Sequence, residues 1–128
     1  MIKILVIAHG TLGKSIIDTS KMLIGNTEDV YSINFFENDG IQILEEKIKK
    51  FIKNNYNEDI IIFTDIMGGS PFNAVSIITH NHPQIKNFYG VNLPLFIEAV
   101  IQREKMNLNE LSEFLEKNKN NSLGISTL

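Results

Sequence analysis

Ile4-Leu5-Val6-Ile7-Ala8-His9-Gly10 opens the chain with five apolar residues that end abruptly on a histidine and a glycine. An apolar run of this length, with no polar alternation, is the pattern of a strand covered on both faces, as in the middle of a parallel sheet. It is too short to span a bilayer, and His9-Gly10 interrupts it where a signal peptide would continue its apolar region. Ile60-Ile61-Ile62-Phe63 repeats the pattern and also ends on polar residues, Thr64-Asp65. Two such strands belong side by side at the centre of one sheet, which brings His9 close to Asp65 although they lie far apart in sequence.

Outward from these runs the chain alternates. Tyr31, Ile33 and Phe35 alternate with Ser32 and Asn34 as in an edge strand, and Phe88-Tyr89-Gly90-Val91 is a fourth strand at the other edge. Helical spacing fills the intervals. A first helix is predicted from Thr11 to Ile24 with Leu12, Ile16 and Leu23 inward, and a second carries Ile41, Leu44, Ile48 and Phe51 inward, with Glu45, Glu46, Lys49 and Lys50 on its solvated face. Ser70-Pro71 and Leu93-Pro94 each put proline in a first turn, where its missing N–H costs no intrahelical bond, so two further helices start there. Asn107 followed by Glu110 reads as a capping box, with Met106 and Leu111 as the adjoining staple, for a last helix to Asn118. The order β-α-β-α-β-α-β-α-α specifies an α/β fold: a doubly wound, mainly parallel four-stranded sheet flanked by helices, with right-handed crossovers. Ser122 to Leu128 is apolar enough for a short C-terminal strand, provided it adds to an existing sheet.

The totals bound the function. The 128 residues are 43% hydrophobic and fit one domain over 1–128, with no repeat, linker or low-complexity tract. A net charge of −3 with no basic block argues against nucleic acid as a partner. With no cysteine there is no disulfide, zinc-thiolate site or thiol chemistry, which suits a cytoplasmic protein. His80 and His82 lie close in sequence, but zinc needs three or four ligands, and Asn81 and Pro83 mark a helix end and turn. No metal and no cofactor are expected.

Three polar clusters fall on the edge formed by the strand carboxyl ends, where doubly wound sheets bind ligands: Ala8-His9-Gly10-Thr11, Thr64-Asp65, and Gly68-Gly69-Ser70-Pro71-Phe72-Asn73. A histidine attacks a phosphoryl donor through a neutral nitrogen with a free lone pair, so its other nitrogen must keep the proton. Asp65 suits the task of holding that proton, orienting the ring and stabilising the charge that develops. Gly68, Gly69 and Ser70 supply a helix start whose free N–H groups suit phosphate oxygens, with Ser70 as cap or hydroxyl donor. Taken singly, each cluster also has a structural reading; their convergence on one edge favours the chemical one. Gly10, Thr11 and Asn92 are supporting residues at this edge. Asn92 reads at least as well as the cap of its own helix, and Thr11 as a first-turn residue. The segment lacks the Lys-Ser/Thr of a P-loop, the first strand lacks a Gly-x-Gly-x-x-Gly fingerprint, and the carboxylates that hold magnesium in a receiver domain are missing beside Ala8-His9-Gly10.

Val6-Ile7-Ala8-His9-Gly10, Thr64-Asp65 with Gly68-Gly69-Ser70-Pro71-Phe72-Asn73, and Gly90-Val91-Asn92-Leu93-Pro94 together resemble the IIA component of the mannose family of the bacterial phosphoenolpyruvate-dependent sugar phosphotransferase system. The resemblance runs from the first strand to the helix after Pro94 and weakens beyond Met106. It implies a phosphotransferase component that accepts phosphate from the phosphocarrier HPr on His9, at Nε2 (the tele nitrogen), with the proton on Nδ1. It implies onward transfer to a histidine of a separate IIB subunit, and indirect service to the IIC/IID membrane subunits during sugar uptake. Asp65 matches the family's histidine-orienting carboxylate and Ser70 its phosphate-side serine. The family's homodimer, with a carboxyl-terminal strand crossing to the partner's sheet, would accommodate Ile125-Ser126-Thr127. Ile66-Met67 departs from relatives that carry a threonine and an aromatic residue there, so backbone donors must serve the phosphate. The alternative is a regulatory module whose phosphorylation is read without onward transfer.

Overall fold

The computed structural model describes residues 1–128. Four parallel strands, β1 (Lys3–His9), β2 (Val30–Phe35), β3 (Ile60–Thr64) and β4 (Ile85–Phe88), lie in the order β2-β1-β3-β4. The two apolar runs are therefore the central neighbours, in a register that sets Ile7 opposite Thr64, and the more polar strands form the edges. Between and after them come α1 (Leu12–Ile24), α2 (Ile41–Asn54), α3 (Ser70–Ile78), α4 (Leu93–Gln102) and α5 (Leu108–Asn118).

Because successive strand residues face opposite ways, each central strand feeds two cores. Ile4, Val6, Ile61 and Phe63 pack with Phe96, Ala99, Leu111 and Leu115 of α4 and α5, and with Ile16 of α1. Leu5, Ile7, Ile60 and Ile62 pack with Leu44, Ile48 and Ile52 of α2 and with Ala74 and Val75 of α3. Ile4 to Ile7 are all fully buried, each contributing about 1.5–3 kcal/mol of transfer free energy. The doubly wound architecture follows from that two-sided burial. None of the helices is long and apolar enough to cross a membrane.

Four details differ from the sequence expectation. Leu12 and Leu23 of α1 are exposed, and the buried stripe instead runs through Gly13, Ile16 and Ser20. At Gly13 the cause is proximity: a Cβ there would lie 3.2 Å from the Val6 carbonyl oxygen, so glycine suits the point where α1 crosses β1. In α2, Ile41 is exposed and Ile52 takes a buried position. The fourth strand is Ile85–Phe88, earlier than predicted, because pairing with Ile60–Phe63 sets its span and Gly90 turns the chain away. Finally, no strand forms in the tail. A 3-10 turn over Lys119–Asn121 is followed by exposed residues including Leu123 and Ile125; so short a segment is a strand only where it adds to a sheet, and here it pairs with neither β2 nor β4.

At the amino edge of the sheet the chain's single arginine is buried. Arg103, just past α4, donates to the carbonyl oxygens of Ile2, Glu28 and Asp29. Asp29 has a φ of 57°, a left-handed backbone that an aspartate tolerates but does not prefer. Arg103 on its carbonyl, and Lys3 and Tyr31 on its carboxylate, hold it there.

Candidate functional site

The carboxyl edge is built differently. The strand order reverses between β1 and β3, since the chain leaves β1 for one side of the sheet and returns to place β3 on the other. The crevice at such a reversal is where open α/β sheets take ligands. His9 ends β1 and Asp65 follows β3, so both stand at this crevice.

Asp65 Oδ2 accepts two hydrogen bonds from the same residue, the backbone N–H of His9 at 2.9 Å and the ring nitrogen Nδ1 at 2.7 Å. Its other oxygen accepts the Ile66 backbone N–H at 2.9 Å. Burial pushes the Asp65 carboxyl up, but the His9 backbone N–H, the His9 ring and the Ile66 N–H outweigh it and hold it below the ordinary carboxylate range. An ionised carboxylate only accepts, so Nδ1 is the protonated nitrogen and the lone pair of a neutral ring is on Nε2. The Asp65 side chain is 12% exposed, whereas that of His9 is 49% exposed. A largely covered acceptor thus fixes an accessible ring.

Beside the ring stands the start of α3. Gly68 has a φ of 84°, and Gly69 occupies the N-cap position, where no side chain caps the helix. A Cβ on Gly69 would lie 3.2 Å from His9 Cε1, so the absence of a side chain lets the backbone approach the imidazole. The loop is braced by the Asn73 backbone N–H to the Gly69 carbonyl at 2.9 Å and by the Asn73 amide to the Gly68 carbonyl at 3.2 Å. Ser70 begins the helix, half-buried, and its hydroxyl makes no hydrogen bond within the chain. The first N–H groups of α3 have no intrahelical acceptor and carry the positive end of the helix dipole, an arrangement suited to an anion.

The supporting residues divide. Gly10 directly follows His9, and its N–H donates to the Phe35 carbonyl at 2.8 Å. Thr11 occupies the N-cap position of α1 without a side-chain cap bond. The loop carrying Asn92 is tied to the site by the Gly90 N–H to the Asp65 carbonyl at 3.1 Å and the Val91 N–H to the Thr64 carbonyl at 3.0 Å. The Asn92 side chain itself caps α4, accepting from the Leu95 N–H at 3.1 Å and donating to the Gly90 carbonyl at 3.2 Å. His80 and His82 lie between α3 and β4, toward the opposite edge of the sheet. Phe35 has no place in the sequence reading of the site, yet its ring meets that of His9 edge to face, centroids 5.7 Å apart. Its position as the last residue of a strand paired with β1 was the available signal.

Fold and site together define a class: doubly wound parallel α/β proteins with a carboxylate-held histidine at the switch point and an uncapped helix start beside it. The family model described as the PTS system fructose IIA component, EIIA-man, matches residues 3–116. The chain belongs to this family, the mannose-family EIIA components of the sugar phosphotransferase system, which are phosphotransferase components. It is 31% identical over 112 residues to the fructose-specific EIIA component of Bacillus subtilis, covering 87% of this chain and 77% of that one. It is 31% identical over 104 residues to the mannose-specific EIIAB component of Escherichia coli K12, covering 80% of this chain but 32% of that longer protein. Among solved structures, an EIIA component from Streptococcus agalactiae superposes with a TM-score of 0.89 at 26% identity, covering 98% of this chain and 97% of the other.

Proposed function

We propose that the chain, as one EIIA domain over 1–128, carries a phosphoryl group on His9 Nε2, received from phospho-HPr and passed to a histidine of a IIB component during sugar uptake. The observation that carries this reading is the 2.7 Å contact of Nδ1 with Asp65 on a ring that is otherwise half open to solvent. One nitrogen is committed and the other is accessible, which suits a group that exchanges phosphate with two proteins in turn and does not enclose a small substrate.

Each residue has a role in this reading. Asp65 holds the proton on Nδ1 and stabilises the positive charge that develops as phosphorus bonds to Nε2. The backbone N–H groups at the Gly68-Gly69-Ser70 helix start, with the unpaired Ser70 hydroxyl, receive phosphoryl oxygens. Gly10 and Thr11 shape the loop that presents His9, and Asn92 supports the site through the loop braced on Asp65. Exposed Ile66 and Met67 beside His9 offer apolar contact to the partner proteins. The domain works in the cytoplasm, supplying IIC/IID membrane subunits indirectly. The unpaired edge of β4 and the exposed Leu123 and Ile125 suit a homodimer in which each tail adds a strand to its partner's sheet.

The test is phosphotransfer reconstituted from phosphoenolpyruvate, enzyme I and HPr, run on wild type and His9→Ala. Wild type should acquire an acid-labile, alkali-stable phosphate, and His9→Ala should acquire none; labelling that survives the substitution overturns the reading. A phosphorylated chain that delivers its phosphate to no IIB protein would make it a regulatory module.

A further inference from the structure

Two contacts on the His9 ring take no part in its hydrogen bonding. Phe35 meets the imidazole with an interplanar angle of 69° and centroids 5.7 Å apart. Gly69 brings bare backbone to another part of the ring, so close that a Cβ there would lie 3.2 Å from Cε1 and 3.0 Å from Ile66 Cγ2. Asp65, at 2.7 Å from Nδ1, supplies the third contact. A hydrogen bond fixes one point of a ring and leaves it free to pivot about that point, and the pivot carries Nε2 with it. An aromatic wall and a backbone wall oppose that motion.

Both walls are anchored. The Phe35 side chain packs against the core cluster of Leu5, Ile7, Leu44 and Ile48, and its carbonyl accepts the Gly10 N–H at 2.8 Å. Gly69 sits in a turn closed by its own N–H to the Ile66 carbonyl at 3.2 Å and begins the hydrogen bonding of α3 through Asn73. Neither wall shifts without disturbing a strand pairing or a helix start.

We propose that Phe35 and Gly69 are positioning residues that fix the plane of the His9 imidazole, so that Nε2 is held on the line of phosphoryl transfer. This rests on His9 being the phosphoacceptor and adds what holds its plane. In the step concerned, the Nε2 lone pair forms the N–P bond as the bond from phosphorus to the donor breaks, and the donor atom keeps that bonding pair. The proton stays on Nδ1, shared with Asp65. Attacking atom, phosphorus and leaving atom must lie roughly in line, so a tilted ring loses rate even when its chemistry is intact.

The experiment measures transfer from phospho-HPr to wild type, Phe35→Leu, Phe35→Tyr and Gly69→Ala, with His9→Ala alongside and the His9 ring followed by NMR. Labelling of His9→Ala defeats the phosphoacceptor reading itself, whatever the other variants do. With His9 as acceptor, Phe35→Leu and Gly69→Ala should each lower the maximal transfer rate about ten- to a hundredfold at unchanged KM for phospho-HPr. Phe35→Tyr, which keeps the ring, should return the rate to within about twofold of wild type. The His9 ring should give one sharp set of signals in wild type and motionally averaged signals in Phe35→Leu. A raised KM at unchanged maximal rate would make Phe35 a docking residue and overturn the proposal. If Phe35→Leu does not fold, Gly69→Ala decides through rate and ring signals together: a wild-type rate, or a slowed rate with His9 ring signals unmoved from wild type, overturns the proposal, and a slowed rate at unchanged KM with displaced ring signals supports it.

Discussion

The two edges of the sheet handle charge in opposite ways. At the amino edge Arg103 is 4% exposed, and three backbone carbonyls accept from its two terminal nitrogens, with Nε buried beside them. At the carboxyl edge Asp65 is equally well bonded, but the residue it holds has a side chain 49% exposed, with Nε2 in no hydrogen bond of the chain. A buried charge whose partners all lie within the fold stabilises a conformation. A partly buried charge that orients a half-exposed partner leaves reactivity over. The distinction lies in what remains exposed after the fold has formed, since both edges contain a charged group, a strand end and a tight turn.

Predictions follow from pressing on each edge in turn. His9→Ala should abolish phosphate labelling while leaving the melting curve close to wild type, because a half-exposed ring contributes little to the core. Asp65→Asn should slow transfer by about a hundredfold or more, since a carboxamide no longer forces the proton onto Nδ1; a single-turnover measurement that finds a near-wild-type rate would remove the contrast between the edges. Arg103→Met should reverse the pattern, costing about 3 kcal/mol in urea denaturation by leaving buried carbonyls unpaired, with the transfer rate per folded molecule unchanged. Acid titration separates the edges more finely. The Asp65 carboxyl lies below its ordinary value in the folded chain, so its contribution to stability is fully present above the unfolded value of 3.8 and fades as pH falls through the folded value. The stability gap between wild type and Asp65→Asn, by urea denaturation, should therefore be constant near neutral pH and close in acid. The smallest effect belongs to neither edge: Asn107→Ala removes the capping box of α5 and should cost about 1 kcal/mol with no change in transfer.

Much of this was legible in the chain itself, for identifiable physical reasons. Continuous apolar runs identify the strands buried on both faces, so the adjacency of β1 and β3, and with it the approach of His9 to Asp65, follows from residue type alone. Ser70-Pro71, Leu93-Pro94 and Asn107-Glu110 mark helix starts because cap and first-turn chemistry is local. What escaped depends on contacts between elements. The inward face of α1 includes Gly13, where Val6 leaves little room for a side chain, and Leu12 and Leu23 lie outside that face. The span of β4 is set by its partner, and the apolar tail is without strand structure because it pairs with neither edge of the sheet. The Phe35 ring on His9 and the burial of Arg103 are likewise products of assembly, with no periodicity to announce them.

The doubled use of Asp65 Oδ2 has a spectroscopic consequence. The His9 backbone N–H and the His9 ring compete for the same oxygen, at 2.9 and 2.7 Å. Any event that puts positive charge on the imidazole draws that oxygen toward the ring and weakens its hold on the amide. The amide proton of His9 is therefore a built-in gauge, its chemical shift registering the charge state of the ring without a label, an assay partner or a change of fold.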